Sequence, residues 1–222
     1  MEREPTTFKE FLDGIAEAYG PTPALTYVDE EPYSYEDLRA RAEQLQEAMR
    51  DFGIRAGDRV AILSENKPTW GIVYLAVTSM GAVAVPILPD FHPHEILNIV
   101  EHAEASLLFL SDRLQEKVAG HLESLPPRIT IEDLDTAISQ LSEARAAGFF
   151  QKIADRFSGE PEQTEPLPDD LAVIIYTSGT TGLSKGVMLT HRNLTSNAWS
   201  ALGSSDIGRG ERFLSVLPLT QA

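Results

Sequence analysis

The chain of 222 residues has the composition of a globular protein, with 42% hydrophobic, 8% aromatic and 23% charged residues, which argues against disorder and fibrous repeats. Its 34 acidic and 18 basic residues give a net charge of −16, so we expect nucleic acid and anionic lipid surfaces to repel it. The absence of cysteine excludes disulfides, thiolate-bound metals and thiol nucleophiles. Because the first residues lack an apolar segment of signal-peptide type, a cytoplasmic location is expected.

The first sixty residues alternate between helix and strand signals. Ser34 and Asp37 have the spacing of a capping box, which would open a helix. Gly20 and Gly53 follow amphipathic stretches and are predicted to end two helices. The elements predicted in this part are a helix over 7–19, a hairpin from 24–28 and 33–35, a second helix that Gly53 ends, and a strand over 59–63.

The stretch 71–88 contains no charged residue and is almost long enough to span a bilayer. Gly81 and Pro86 lie inside it, and a helix carrying both would be broken in the middle of the membrane. Two buried elements explain the stretch better: an apolar helix over 68–80 that Gly81 ends, and a buried strand over 82–87. No transmembrane segment is therefore predicted.

The alternation of apolar strands with helices continues as far as residue 157. This pattern is typical of βαβ units and predicts an α/β fold in which helices pack on both faces of a parallel or mixed β-sheet. The segment 158–170 is rich in proline and acidic residues and is predicted to be a surface linker inside the domain. The further elements predicted are helices over 93–105, 114–125 and 135–157 and strands over 107–110 and 129–131.

The segment 177–186 (TSGTTGLSKG) combines three glycines, five hydroxyl side chains and one lysine. Glycines let backbone N–H groups approach an anion, hydroxyls add donors, and lysine adds a positive charge, so the segment is interpreted as a cradle for a polyphosphate. A solvated hairpin loop is the alternative. A Walker A loop is excluded because Gly186, not serine or threonine, follows Lys185. The elements predicted around the segment are strands over 171–176, 187–189 and 212–217 and a helix from 190 or 191 to 202.

The sequence YTSGTTGLSKGVMLTHRNL at 176–194 closely resembles the phosphate-binding signature of the adenylate-forming superfamily, which comprises acyl-CoA synthetases, adenylation domains of peptide synthetases and luciferases. Three further segments resemble landmarks of that family in the same order: NKP at 66–68, GAVAVPILP at 81–89 and RFLSVLPL at 212–219. The resemblance covers nearly the whole chain. The strand-and-loop sequence DDLAVIIYTSGTTG, followed by LTHRNLTSN, is most similar to the long-chain fatty-acid–CoA ligases.

This resemblance implies an acid–thiol ligase that uses ATP, Mg²⁺ and coenzyme A. A fatty carboxylate would attack the α-phosphate of ATP to give an acyl-adenylate and pyrophosphate, and the thiol of coenzyme A would then displace AMP. Gln221 stands where long-chain ligases usually carry a histidine at the acyl pocket, so it is a candidate substrate-binding residue that departs from the pattern. The ligands that the signature implies for the ATP phosphates are Thr177, Ser178, Gly179, Thr180, Thr181, Gly182 and Lys185.

The family's magnesium-binding glutamate, ribose-binding aspartate and small C-terminal domain have no counterpart in this sequence. No catalytic or metal-binding residue is therefore assigned, and residues 1–222 are expected to form an incomplete N-terminal domain that is inactive by itself. The alternatives are a ligase for an aryl, medium-chain or amino acid, and a non-catalytic nucleotide-binding module. Peripheral membrane contact and the oligomeric state are left open.

Four polar side chains outside 177–186 have a functional and a structural interpretation. His191 and Arg192 either line the anionic site or mark the start of a helix, with Arg192 at the surface. His92 and His94 are predicted to begin a helix rather than to bind a metal, because no further ligand has zinc spacing. His102 is placed on a helix surface and is assigned no role.

Overall fold

The structure, a computed structural model, describes residues 3–147, 165–177, 185–204, 210–215 and 219. Its strands are β1 (Pro23–Leu25), β2 (Tyr33–Ser34), β3 (Arg59–Leu63), β4 (Val83–Ile87), β5 (Leu107–Leu110), β6 (Arg128–Thr130), β7 (Leu171–Thr177) and β8 (Lys185–Thr190). Its helices are α1 (Phe8–Tyr19), α2 (Tyr35–Phe52), α3 (Pro68–Ser79), α4 (Pro93–His102), α5 (Asp112–Val118), α6 (Leu134–Ala146) and α7 (His191–Ser204), and a 3₁₀ helix spans Ala119–Ser124.

Six strands form one sheet in the order β6-β5-β3-β4-β7-β8. Every neighbouring pair is parallel except β7 and β8, which are antiparallel. The strands β1 and β2 form a separate antiparallel pair. The predicted α/β fold with a mixed sheet is therefore confirmed, and the one antiparallel pair of the six-stranded sheet, β7 and β8, is the pair joined by the glycine-rich segment.

Both faces of the sheet are covered by helices, as continuous apolar strands require. Val60 and Ile62 of β3 belong to one apolar cluster, to which α1, α2, α3 and α6 contribute. Ala61 and Leu63 belong to a second cluster on the opposite face, to which α4 and α5 contribute. The charge-free stretch 71–88 lies inside this core as α3 and β4, and none of the described helices is long and apolar enough to cross a membrane.

The helix ends follow the local signals in the sequence. The Ser34 hydroxyl accepts a hydrogen bond from Asp37 N at 3.1 Å, and Ser34 N donates to Asp37 Oδ2 at 2.9 Å, so the predicted capping box is present. Gly53 and Gly81 follow α2 and α3 with φ values of +116° and +85°, a backbone region that disfavours side chains with a Cβ.

Several predicted boundaries were wrong. The helix predicted over 93–105 ends at His102, since the chain turns at Glu104 with a φ of +50°. The helix predicted over 114–125 begins at Asp112 and turns into the 3₁₀ helix after Val118. The strand predicted over 212–217 is wrong in its described part, because residues 211–215 have no regular structure.

The segment around the predicted linker is described only in part. Of the helix predicted over 135–157, α6 is described as far as Ala146, and residues 148–164 lie outside the described residues. Residues 165–170 form a turn in which Leu167 N donates to Asp170 Oδ2 at 2.8 Å, and Pro166 is buried.

Candidate active site at the carboxyl edge of the sheet

The carboxyl ends of the five parallel strands meet at one edge of the sheet, which is where α/β folds bind ligands. Because β8 is antiparallel, it begins at this same edge. Thr177 ends β7, Lys185 begins β8, and the two residues are opposite each other in the ladder. The residues at these two strand ends, 176–177 and 185–186, are called the loop stems below.

Two of the predicted phosphate ligands, Thr177 and Lys185, belong to the loop stems. Thr177 and Lys185 are both exposed, and within the described residues no carboxylate forms an ion pair with the Lys185 ammonium. An exposed hydroxyl and an exposed ammonium at paired positions of neighbouring strands can bind an anion. Outside the described residues lie five predicted phosphate ligands and the candidate acyl-pocket residue: Ser178, Gly179, Thr180, Thr181, Gly182 and Gln221.

Gly186 is required by a close approach between the loop stems. A Cβ at this position would lie 2.9 Å from Ile174 Cγ2 and 3.2 Å from Tyr176 Cζ, closer than side-chain atoms normally pack. Tyr176 is 4% exposed and is the direct cross-strand neighbour of Gly186. The antiparallel pair therefore closes tightly at its loop end.

The Asn66 side chain joins the loop after β3 to Ser215 and Leu219. Asn66 belongs to the segment 66–68 and the other two residues to the segment 212–219, and both segments resemble family landmarks. Its amide nitrogen donates to Ser215 Oγ at 3.1 Å and approaches Ser215 O at 3.4 Å. Its amide oxygen accepts from Leu219 N at 2.9 Å. These bonds hold Ser215, which lies in the part predicted to be a strand, and Leu219 beside the loop that follows β3.

Replacing Asn66 with alanine is expected to release the segment 210–219 while leaving global stability nearly unchanged. Losing three partly exposed hydrogen bonds corresponds to about 1–2 kcal/mol of local stability, so limited proteolysis within this segment should accelerate roughly tenfold. Asn66→Asp keeps the acceptor for Leu219 N but loses both donors, and its cleavage rate should fall between those of wild type and Asn66→Ala. Equal cleavage rates for all three proteins would show that Asn66 does not hold the segment.

A partly exposed ion-pair network ties three loops of the same edge together. Lys67 Nζ bonds Glu132 and lies 4.0 Å from Glu65 Oε1, and Ser111 Oγ donates to Glu65 Oε2 at 2.6 Å. Burial lowers the pKa of Lys67, but the bond to Glu132 and the charges of Glu132 and Glu65 outweigh it and hold that pKa above its ordinary value. Burial raises the pKa of Glu132, yet its bonds to Lys67 and to Asp112 N bring it below the ordinary value. Lys67 and both carboxylates are thus engaged by partners, so the network supports this edge of the sheet.

The sequence of residues 12–221 matches the family described as AMP-binding enzyme. The chain belongs to this family. It is 32% identical to a feruloyl-CoA synthase of an Amycolatopsis species over 85% of this chain and 34% of that protein. It is 30% identical to fatty acyl-CoA synthetase B of Dictyostelium discoideum over 73% of this chain and 25% of that protein.

A solved structure has the same fold. The N-terminal domain of FACL13 from Mycobacterium tuberculosis superposes with a TM-score of 0.78 at 23% identity, over 96% of this chain and 52% of that one. The chain thus spans a quarter to a third of these two curated relatives and about half of this solved domain.

In this member of the AMP-binding enzyme family, His191 and Arg192 have structural partners. His191 is fully buried, its Nδ1 accepts from Phe8 N at 3.2 Å, and its ring packs edge-on against Phe8. Arg192 is bound to Asp169 through its Nε at 2.9 Å. Both observations favour the helix-start interpretation over a role in the anionic site. Because Nδ1 is the acceptor, the proton of the neutral ring is on Nε2, which has no partner among the described residues.

The burial of His191 predicts acid sensitivity of the fold. Burial lowers its pKa, partly opposed by the charge of Asp170, so protonation favours the unfolded chain. This contribution to stability is complete above the unfolded pKa of about 6.5 and is lost as the pH falls through the lower folded pKa. Urea unfolding at pH 7.5 and 5.5 should show a loss of the order of 1 kcal/mol in wild type. His191→Asn retains an acceptor near Nδ1 but does not titrate, so its stability should change less; an equal change would contradict this assignment.

His92 and His94 lie at the start of α4, as the helix-start interpretation predicts. The rings of His92 and His94 stack with their centroids 5.9 Å apart, and no cluster of three or more metal-ligating side chains occurs among the described residues.

The residue that the sequence analysis missed is His102, whose Nδ1 lies 2.7 Å from the Tyr176 hydroxyl. The helical pattern gave no signal for this contact, because it crosses between two elements that are distant in the sequence.

Proposed function

We propose that this chain supplies the ATP-phosphate site of an acyl-CoA ligase that activates long-chain fatty acids in the cytoplasm. The observation that carries the proposal is the position of Thr177 and Lys185, exposed and opposite each other where the ligand-binding edge of the sheet meets its one antiparallel pair. Membership of the AMP-binding enzyme family supports nucleotide as the ligand. We further propose that residues 1–222 are the N-terminal part of the large domain of this enzyme.

The proposed reaction has two steps. A carboxylate oxygen attacks the α-phosphorus of ATP, the bond from this phosphorus to the β-phosphate oxygen breaks, and pyrophosphate leaves with both electrons of that bond. The thiolate of coenzyme A then attacks the acyl carbonyl, and AMP leaves. The residues of this chain act in the first step: the Thr177 hydroxyl donates to a phosphate oxygen and the Lys185 ammonium neutralises charge on the departing pyrophosphate, which is electrostatic preorganisation.

Mg²⁺ is proposed to arrive with the nucleotide and to neutralise phosphate charge. The described residues do not offer a site of their own for it, since no cluster of three or more acidic or histidine side chains is found among them. Glu65 and Glu132, the carboxylates of the ion-pair network at this edge, are engaged by Ser111 and Lys67. No role in the chemical step is therefore assigned to a metal ligand of this chain.

The choice of a fatty acid rests on the strand-and-loop sequence around Tyr176 and on the relative named fatty acyl-CoA synthetase. The relative named feruloyl-CoA synthase supports an aromatic acid as the second candidate. The test uses the whole reading frame that carries this sequence and measures ATP-dependent acyl-CoA formation with fatty acids of increasing length, ferulate and benzoate. Activity that rises with chain length is expected. Activity with the aromatic acids alone would replace the fatty-acid proposal by the second one.

Residues 1–222 expressed alone are proposed to lack adenylation activity. The chain carries the loop stems but, on the resemblance, not the ribose-binding aspartate or the lysine of the small domain. A pyrophosphate–ATP exchange assay should give no turnover above background with this polypeptide and clear turnover with the whole reading frame. Exchange by the polypeptide alone would show that its own residues complete the site.

A further inference from the structure

The side chains of Tyr176 and His102 meet directly behind the loop stems. The Tyr176 hydroxyl lies 2.7 Å from His102 Nδ1, and the two rings are edge to face with their centroids 5.8 Å apart and their planes at 89°. Tyr176 is buried on the sheet face that α4 covers, and His102 is the last residue of α4. Burial raises the pKa of the Tyr176 phenol, so the hydroxyl keeps its proton at neutral pH and can take part in this hydrogen bond.

Tyr176 belongs to the loop stem in β7, and its ring contacts the loop stem in β8. Tyr176 precedes Thr177 in β7, and its Cζ atom, which carries the hydroxyl, lies against Gly186, the residue after Lys185 in β8. The absent Cβ of Gly186 is what allows this contact. The hydrogen bond to His102 and the contact with Gly186 therefore fix the same end of the ring from two sides.

We propose that Tyr176 and His102 form a latch that positions the two loop stems, and with them Thr177 and Lys185, for the phosphates of the nucleotide. This inference rests on the proposed function and assigns the two residues as positioning residues that do not touch the nucleotide. His102 sets the orientation of the ring, and the ring sets the distance between the stems. Without the hydrogen bond the loop stems become ordered only when the nucleotide binds. Because this ordering costs free energy, the nucleotide then binds more weakly.

Three variants separate the hydrogen bond from the packing. Tyr176→Phe removes the hydroxyl and keeps the ring, His102→Phe keeps a ring without a polar partner, and the double variant lacks both groups. His102→Asn places a polar atom near the position of Nδ1 and is the rescue variant. His121→Phe is the matched control, because His121 is exposed in the 3₁₀ helix.

The first readout is amide hydrogen exchange of residues 176–177 and 185–186 without nucleotide. Exchange should be about fivefold faster than in wild type in each single phenylalanine variant. In the double variant it should be no faster than in the single variants, because either substitution alone already breaks the hydrogen bond between Tyr176 and His102. The second readout is steady-state kinetics of the whole reading frame. The KM for ATP should rise about fivefold, with the KM for the carboxylic acid unchanged, and His102→Asn should restore most of the loss.

The two readouts distinguish failure of the latch from failure of the proposed function. Unchanged exchange at the loop stems, or effects that add in the double variant, would overturn the latch even if the protein is an active ligase. Faster exchange with an unchanged KM for ATP would also overturn it, because the stems would then not position the nucleotide. If wild type does not use ATP, the proposed function fails, and so does the role of the latch in nucleotide binding. The exchange result still reports whether the hydrogen bond holds the loop stems.

Discussion

Replacing Lys185 with alanine in the whole reading frame is expected to lower kcat/KM for ATP by about a hundredfold. The ammonium is exposed, and within the described chain it has no carboxylate partner, so its removal leaves no unpaired structural group. Losing one preorganised group that stabilises developing phosphate charge typically costs about 3 kcal/mol of transition-state stabilisation. The measurement is pyrophosphate–ATP exchange across ATP concentrations.

Lys9→Ala is the matched control for this experiment. Lys9 forms an exposed ion pair with Asp13 on α1, an interaction that contributes at most about 1 kcal/mol to stability. The control should exchange pyrophosphate at the wild-type rate. Lys185→Arg should retain part of the activity, because it keeps the charge but replaces a compact ammonium with a planar guanidinium. Activity of Lys185→Ala within threefold of wild type would remove this lysine from the site.

Replacing Gly186 with alanine is expected to have the second-largest effect, on both stability and nucleotide binding. The new Cβ would lie 2.9 Å from Ile174 Cγ2 and 3.2 Å from Tyr176 Cζ, so β7 and β8 must move apart at their loop end. Overpacking of this kind typically destabilises a protein by about 1–3 kcal/mol. Urea unfolding should show this loss, and the affinity for ATP should fall with it because the loop stems separate.

Gly203→Ala tests whether the effect is specific to the close approach at Gly186. No atom of the described residues lies within 4 Å of a Cβ at Gly203, which is in α7, and alanine favours a helix over glycine by up to about 1 kcal/mol. This control should be as stable as wild type or more stable, with unchanged ATP affinity. If Gly186→Ala behaved in the same way, the tight packing of the loop stems would be refuted.

The features that the sequence predicted are those determined by neighbours in the chain. The capping box at Ser34, the stops at Gly53 and Gly81, and the apolar strands covered on both faces all follow from local spacing. The position of Thr177 and Lys185, the two ends of the glycine-rich segment, at the sheet edge also follows, because parallel strands end together and the segment directly follows the apolar strand β7.

The features that were missed depend on contacts between distant segments. His102 and Tyr176 are 74 positions apart, and Asn66 and Ser215 are 149 apart. The apolar pattern of 212–217 is compatible with a strand, but in the described part Asn66 bonds the side chain and the backbone oxygen of Ser215, and Phe213 and Leu214 are 74% and 75% exposed. Periodicity in one segment contains no information about such partners.

The central claim, that the segment between β7 and β8 binds the triphosphate of ATP, is tested most directly by comparing the affinities for ATP and AMP. Calorimetric titration of wild type and Lys185→Ala, both as the whole reading frame, gives all four dissociation constants. The account predicts that wild type binds ATP more tightly than AMP, and that Lys185→Ala loses most of this difference while its affinity for AMP stays the same. Equal weakening of ATP and AMP binding, or no weakening of either, would contradict it.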